Sequence, residues 1–253
     1  MASRDEIVSF LDELLESPGF PDYGPNGLQV PGGERVELVV TGVSAHLELF
    51  ERAADAGAQL VLAHHGIFWG SGPGPVDRRL RRRLETLFEA DISLVAYHLP
   101  LDAHPTVGNN ALICAALGLE LAGRVGSHEG RAVGFVGRST EGIPLDDLRA
   151  RCASAFGGRE PLIQGDGPEV VRSVAVISGA AAGYMGDAVA LGVDAFLTGE
   201  PAERSMADAR EAGIHFIAAG HYATETFGVR RLGDLLAERF GVEHRFLEIP
   251  NPV

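Results

Sequence analysis

The chain contains no lysine, because all 21 of its basic residues are arginine. This absence excludes enzymes that form a Schiff base on a lysine and nucleotide-binding proteins whose phosphate loop needs one. Cysteine is also scarce: Cys114 and Cys152 lie far apart, each within a helical pattern. Their spacing is not that of a metal site or a disulfide framework. We therefore expect two reduced packing residues in a cytoplasmic protein.

Long apolar runs and excess positive charge are missing as well. The longest stretch with few charged residues, 111–123, is interrupted by Glu120. It falls short of the about 20 apolar residues that a membrane span needs. Residues 1–17 are acidic and amphipathic and do not have the pattern of a signal peptide. The net charge of −14 argues against a general nucleic-acid or anionic-membrane surface. We expect a cytoplasmic protein with neither kind of partner.

Apolar runs alternate with amphipathic helical patterns, which predicts parallel strands covered on both faces. The first half has three such runs, and the second half repeats the plan: residues 36–44, 58–66 and 92–98, then 171–179, 193–200 and 214–221. The fold class is therefore α/β, with two related α/β lobes, largely parallel sheets and a site in the cleft between them. We place the lobes at residues 1–125 and 126–253, with the alternative that the C-terminal elements pack on the first lobe.

Metal-ligating residue types follow the strands of both halves. In parallel α/β sheets, ligands bind at the carboxyl ends of the strands, where the loops converge. The first half places histidines after two strands and a carboxylate four residues beyond the second, and the second half repeats this spacing: His64, His65, His98 and Asp102, then Glu200, His221 and Glu225. A lone histidine after a strand is usually structural, but the repeated spacing favours a metal site.

The spacing also predicts local geometry and the metals that fit. His221 and Glu225 are four residues apart at the start of a helical pattern, so both can face one ion. Pro100 interrupts the matching segment, which predicts a loop from His98 to Asp102. Three histidines with two carboxylates suit Zn, Fe, Mn, Co or Ni better than Ca or Mg. Five ligands exceed the usual three of one catalytic zinc, so we expect two divalent ions about 3.5–4 Å apart, bridged by Glu225 or Asp102.

Several strings resemble the Nif-three-like dinuclear-metal-centre family, whose members are often labelled GTP cyclohydrolase I type 2 homologues. They are DYGPNGLQV, AHHGIFWG, YHLPLDAHPTVGNNAL, TGE, AAGHYATE and IPNPV. The resemblance implies two α/β lobes, a two-metal site between them and a ring-shaped hexamer. By position, it implies a set of metal ligands with Glu225 as the bridge: His64, His65, Asp102, His221 and Glu225. His98 matches a residue beside the metals, which either supports the metal ligands or transfers a proton. Residues 126–170 lack the long inserted domain of some members, so substrates tied to that domain do not transfer.

Two functions are compatible with these residues. The first is a metal-dependent hydrolase acting on a small substrate through metal-activated water, with His98 or Glu200 moving the proton. The family label implies opening of the guanine imidazole ring of GTP with release of formate, and a phosphoester or amide would suit the same metals. The second is a non-catalytic protein for metal storage, delivery or insertion. The run Arg78–Arg83 could bind phosphates, but a solvated helix face or a subunit contact is the simpler interpretation.

Overall fold

The computed structural model describes residues 2–70 and 74–253. Its contacts separate two compact units: Met1–Leu101 with Gly228–Ile249, and Asp102–Phe227 with Pro250–Val253. The division follows Leu101, earlier than the sequence boundary at residue 125, because the segment after it pairs with strands of the second unit. Residues 228–249 return to the first unit.

Each unit contains its own sheet and covering helices. The strands are β1 (Ala2–Ser3), β2 (Gly27–Val30), β3 (Arg35–Val36), β4 (Leu38–Ser44), β5 (Leu60–His65), β6 (Ser93–Ala96), β7 (Glu120–His128), β8 (Arg131–Pro144), β9 (Leu162–Gly165), β10 (Val170–Val176), β11 (Ala195–Thr198), β12 (His215–Ala218) and β13 (Glu243–Phe246). The helices are α1 (Arg4–Leu15), α2 (Leu47–Asp55), α3 (Arg78–Glu89), α4 (Leu99–Asp102), α5 (Asn109–Ala116), α6 (Leu145–Ala155), α7 (Met185–Ala190), α8 (Ser205–Ala212), α9 (His221–Thr224) and α10 (Thr226–Phe240), with a 3-10 turn at Ala182–Tyr184.

The sheet of the first unit has the order β13-β4-β5-β6-β2. Its first four strands are parallel, and β2 runs antiparallel to β6. The central strands are buried on both faces, which explains their continuous apolar sequence. Helix α2 begins after His46, whose Nδ1 accepts the Leu49 N–H at 3.4 Å, and it buries Leu49, Phe50 and Ala53. The parallel pairing places Ser44 beside His65 at the carboxyl ends of β4 and β5.

The sheet of the second unit has the order β7-β8-β10-β11-β12-β9. Its centre, β10-β11-β12, is parallel, whereas β7, β8 and β9 join in antiparallel pairings. The predicted α/β class is confirmed, with a largely parallel first sheet and a mixed second sheet. Cys114 and Cys152 lie in the core of this unit, unpaired. Burial raises the pKa of both thiols to about 12, as expected for packing residues.

The segment after β6 corrects one local prediction. The expected loop from His98 to Asp102 is wrong, because Leu99–Asp102 form the single helical turn α4. Pro100 is tolerated there because the first residues of a helix need no intrahelical N–H donor. Among the described residues, no helix combines the length and the apolar character needed to cross a membrane.

Candidate metal centre

Strand β5 carries His64 and His65 at its carboxyl end. His64 is fully buried, and its Nδ1 lies 3.0 Å from the carbonyl oxygen of Tyr97. Because a carbonyl only accepts hydrogen bonds, Nδ1 carries the proton and Nε2 presents its lone pair. His65 is half-buried, with its Nδ1 3.0 Å from the Ser44 hydroxyl. In a metal-binding histidine, a hydrogen bond at the ring nitrogen that does not bind the metal fixes the orientation and tautomer of the ring.

His98 joins this pair from the end of β6. Its ring centroid lies 5.0 Å from that of His64 and 5.5 Å from that of His65. One ligand atom from each of the three histidines lies within 4.8 Å of the others, so the group could bind a metal ion. We refer to His64, His65 and His98 as the histidine cluster. Sequence reasoning placed His98 beside the metals rather than among their ligands, and the structure groups it with two expected ligands.

Asp22 is a candidate site residue that sequence reasoning missed. Its carboxylate lies 2.7 Å from His98 Nδ1, and its side chain is only 2% exposed. Burial by itself would raise the pKa of Asp22, but hydrogen bonds from His98, Asn26 and the Leu99 N–H together lower it. The charged carboxylate therefore holds the proton of His98 on Nδ1 and leaves Nε2 as the acceptor. The turn-rich string DYGPNGLQV contains Asp22 and Asn26 and was the available signal.

In the second unit, His221 lies between two carboxylates. Its Nε2 is 3.1 Å from Glu225 Oε1, and its Nδ1 contacts Glu200. Glu225 is 2% exposed. Burial by itself would lower the pKa of His221, but hydrogen bonds and charge from Glu225 and Glu200 raise it to about 9. Without metal, His221 is therefore protonated at neutral pH, and a metal ion at Nε2 would take the place of a proton.

Asp102, at the end of α4, is held by neutral donors. Its Oδ1 accepts a hydrogen bond from the Asn109 amide at 2.8 Å and another from the Ser178 hydroxyl at 2.9 Å. Asn110 donates to the Asp102 carbonyl oxygen at 3.3 Å and accepts from the Ser178 N–H at 2.7 Å. These contacts orient a buried carboxylate, as is usual for a metal ligand. Sequence reasoning missed these supporting residues.

A glycine lies against the His221 and Glu225 pair. At Gly179, where φ is +67°, an added Cβ would overlap the Glu225 carboxylate and lie 3.3 Å from His221 Nε2. Gly179→Ala should therefore lower the free energy of unfolding by about 1–2 kcal/mol for backbone strain, plus about 1–3 kcal/mol for crowding. Gly213→Ala is the matched control, since its φ is +66° with nothing within 4 Å of the added Cβ. Chemical denaturation of both variants measures the difference, and equal losses would contradict the crowding.

The donor set fits a divalent transition metal. Imidazole nitrogens with carboxylate oxygens suit Zn, Fe, Mn, Co and Ni, whereas Ca and Mg prefer oxygen ligands throughout. Within each unit, hydrogen bonds already orient the donor side chains. Each unit therefore carries, after its strands, side chains of types that could bind a metal ion.

Comparison with known proteins decides the family. The model of the Duf34/NIF3 (NGG1p interacting factor 3) family matches residues 2–252. The chain belongs to this family. This NIF3-family chain is 46% identical over 247 residues to the GTP cyclohydrolase 1 type 2 homolog of Pseudomonas aeruginosa, covering 97% of each chain. The resemblance noted from the sequence strings is thereby confirmed.

Solved structures give the same result for the fold. The NIF3-family chain is similar to a structure titled "protein ybgI, unknown function", with a TM-score of 0.93, 41% identity and coverage of 99% and 100% of the two chains. It is also similar to TTHA1606 from Thermus thermophilus, with a TM-score of 0.90, 37% identity and the same coverage. The α/β architecture is thus that of known proteins along its full length.

Proposed function

We propose that this NIF3-family chain is a cytoplasmic metal-dependent hydrolase of small substrates that holds two divalent ions. The ligands are three histidines and two carboxylates, with Glu225 shared by both ions: His64, His65, Asp102, His221 and Glu225. The observation that carries the proposal is that His64, Asp102 and His221 are each oriented by hydrogen-bond partners before any ion binds. Metal ligands regularly have such partners, which fix the ring tautomer and the carboxylate orientation, and His64 and His65 also lie in a group whose ligand atoms are within 4.8 Å of one another.

Glu200 is assigned a supporting role. Its contact at His221 Nδ1 keeps a proton on that nitrogen, so that Nε2 is the atom available to a metal. A carboxylate that accepts a hydrogen bond from the other ring nitrogen also makes the imidazole a more basic metal ligand. Glu200 therefore acts on the metal through His221, rather than as the proton shuttle considered from the sequence.

The chemistry divides between metals and protein groups. Two bound divalent ions would lower the pKa of a water molecule and polarise the bond that it attacks. His98 then transfers the proton at Nε2, because Asp22 engages its Nδ1 at 2.7 Å. The buried Asp22 carboxylate accepts the Nδ1 hydrogen bond and keeps the ring in one orientation.

GTP is the first substrate to test, because the Pseudomonas aeruginosa relative is named a GTP cyclohydrolase 1 type 2 homolog. The arginine run of α3, considered above as a possible phosphate-binding segment, gives GTP no added support. Arg78, Arg79, Arg81 and Arg82 are exposed on α3, and Arg81 donates to Glu85 at 2.6 Å, one helical turn along the chain. This pattern is typical of a solvated helix face. Phosphodiesters and amides therefore belong in the same assay.

The direct test measures formate release from GTP by metal-loaded protein, with His65→Ala as the metal-deficient control. We expect turnover by the wild type and a loss of at least about 100-fold in the variant, since the metal-activated water is lost. Equal rates in the two proteins would assign the signal to a contaminant. Hydrolysis of phosphodiesters or amides in place of GTP would retain the metal mechanism and change the substrate. Two firmly bound ions without any turnover would favour metal storage, delivery or insertion.

The proposed assembly is a homohexamer, as the family resemblance implies. Light scattering at micromolar concentrations should give about six times the chain mass of 26.7 kDa. With an acidic net charge of −14, we expect the assembly to persist at moderate salt, where charge repulsion is screened. A monomer throughout the concentration range would contradict the proposed hexamer. It would not affect the proposed set of metal ligands.

A further inference from the structure

Two large aromatic side chains border the histidine cluster and remain exposed. Tyr23 is 52% exposed and Trp69 is 47% exposed. The Trp69 ring packs edge-on against His98 at a centroid distance of 5.3 Å and lies 5.8 Å from the His65 ring. The Tyr23 ring lies 6.1 Å from that of His98. Both rings therefore lie beside His98, in the same unit of the chain.

The two loops that carry these rings are fixed to each other by backbone contacts. The Gly70 N–H donates to the Tyr23 carbonyl oxygen at 2.6 Å. An added Cβ at Gly24 would lie 2.6 Å from the Phe68 carbonyl oxygen, so only glycine allows the loops to approach this closely. The Tyr23 N–H also donates to Asp22, the partner of His98. The loop that carries Tyr23 therefore also carries the carboxylate that orients His98.

We propose that Tyr23 and Trp69 form a stacking site for a planar heteroaromatic ring of the substrate. The inference rests on the proposed function, because it names the part of the substrate that lies beside His98. Exposed, pre-positioned tyrosine and tryptophan rings are well suited to stacking, which contributes about 1–3 kcal/mol per nucleobase. Stacking requires a flat π-face on the ligand, so planar heterocycles are favoured over aliphatic groups. The two aromatic rings contact the imidazoles of His65 and His98, and Tyr23 lies next to the Asp22 carboxylate. We therefore expect the site to recognise the heterocycle of a ligand rather than a phosphate.

Trp69 provides the readout, since it is the only tryptophan in the chain. We would titrate the whole protein, with and without added zinc, with guanosine, nicotinamide and ribose 5-phosphate. Excitation at the red edge of tryptophan absorption avoids absorption by the purine. Guanosine and nicotinamide should quench the emission to saturation, whereas ribose 5-phosphate, which has no aromatic ring, should not. Quenching should persist without zinc, because backbone contacts hold the rings in place.

Variants test the assignment to these two residues. Tyr23→Ala should weaken guanosine binding about 5- to 100-fold, the equivalent of about 1–3 kcal/mol, and Tyr23→Phe should restore it. Trp69→Ala, followed by calorimetry, should weaken binding to a similar extent, and Trp69→Phe should rescue it. Phe88→Ala is the matched control, because Phe88 is 60% exposed on α3 and should leave the affinity unchanged.

Different results would refute the stacking site and the proposed metal function. No quenching by either heterocycle, in protein that binds two ions, would overturn the stacking site and leave the proposed function intact. Saturable quenching in protein that binds no metal would support stacking and refute the metal function. If Trp69→Ala splits the assembly while neither heterocycle quenches the wild type, Tyr23 and Trp69 form a subunit contact and the proposal is wrong.

Discussion

Replacing Glu225 with alanine is expected to reduce metal content from about two ions per chain to well below one. A ligand shared by two ions contributes to both affinities, so its loss weakens both at once. Even supporting partners of metal ligands contribute about 10- to 100-fold in affinity, and a shared ligand should contribute more. Glu225 is buried and contacts His221 Nε2 at 3.1 Å, so water cannot readily replace its carboxylate. Turnover should disappear with the metal.

Elemental analysis of the folded protein measures this effect. Glu225→Gln preserves the side-chain volume and removes the charge, so it separates loss of a ligand from loss of packing. His46→Ala is the control, because His46 caps α2 by accepting the Leu49 N–H. It should lower stability by about 0.5–2 kcal/mol and leave metal content unchanged. Two tightly held ions in Glu225→Ala would show that Glu225 is not the shared ligand.

Replacing His98 with alanine should lower turnover by about 10²–10⁴-fold, the usual contribution of a general acid or base. Metal content should remain near two ions per chain, because His98 lies outside the proposed ligand set. Asp22→Asn should cause a smaller loss, since His98 remains but its orienting charge is removed. Steady-state kinetics and elemental analysis of the same preparations measure the two effects side by side.

The pairing of these measurements decides between two roles for His98. Its ligand atom lies within 4.8 Å of those of His64 and His65, so it could also coordinate a metal. Loss of an ion in His98→Ala would make His98 a ligand and contradict the proton-transfer role. Full metal content with unchanged turnover would leave His98 with neither function. Full metal content with the expected loss of turnover supports proton transfer.

Much of the fold followed from local patterns. The buried strands β4, β5 and β11 appear as largely apolar runs because both of their faces are covered. Strands β7, β9 and β13 were missed. All three lie at sheet edges and are exposed or only partly buried over most of their length, so each forms mainly by pairing with its neighbour in the sheet. Edge strands of this kind carry little hydrophobic periodicity.

The amino-acid sequence by itself determined the α/β class, the family and the residue types at the strand ends. The absence of lysine excluded enzymes that depend on a lysine Schiff base or a phosphate-loop lysine. The His-x-x-x-carboxylate spacing indicated candidate metal ligands. Only the tertiary structure decided which partners orient them. Asp22 reaches His98 across 76 positions of the chain, and Glu200 reaches His221 across 21. Such contacts leave no periodic trace, because they depend on which loops the sheets bring together rather than on the spacing of residues along one element.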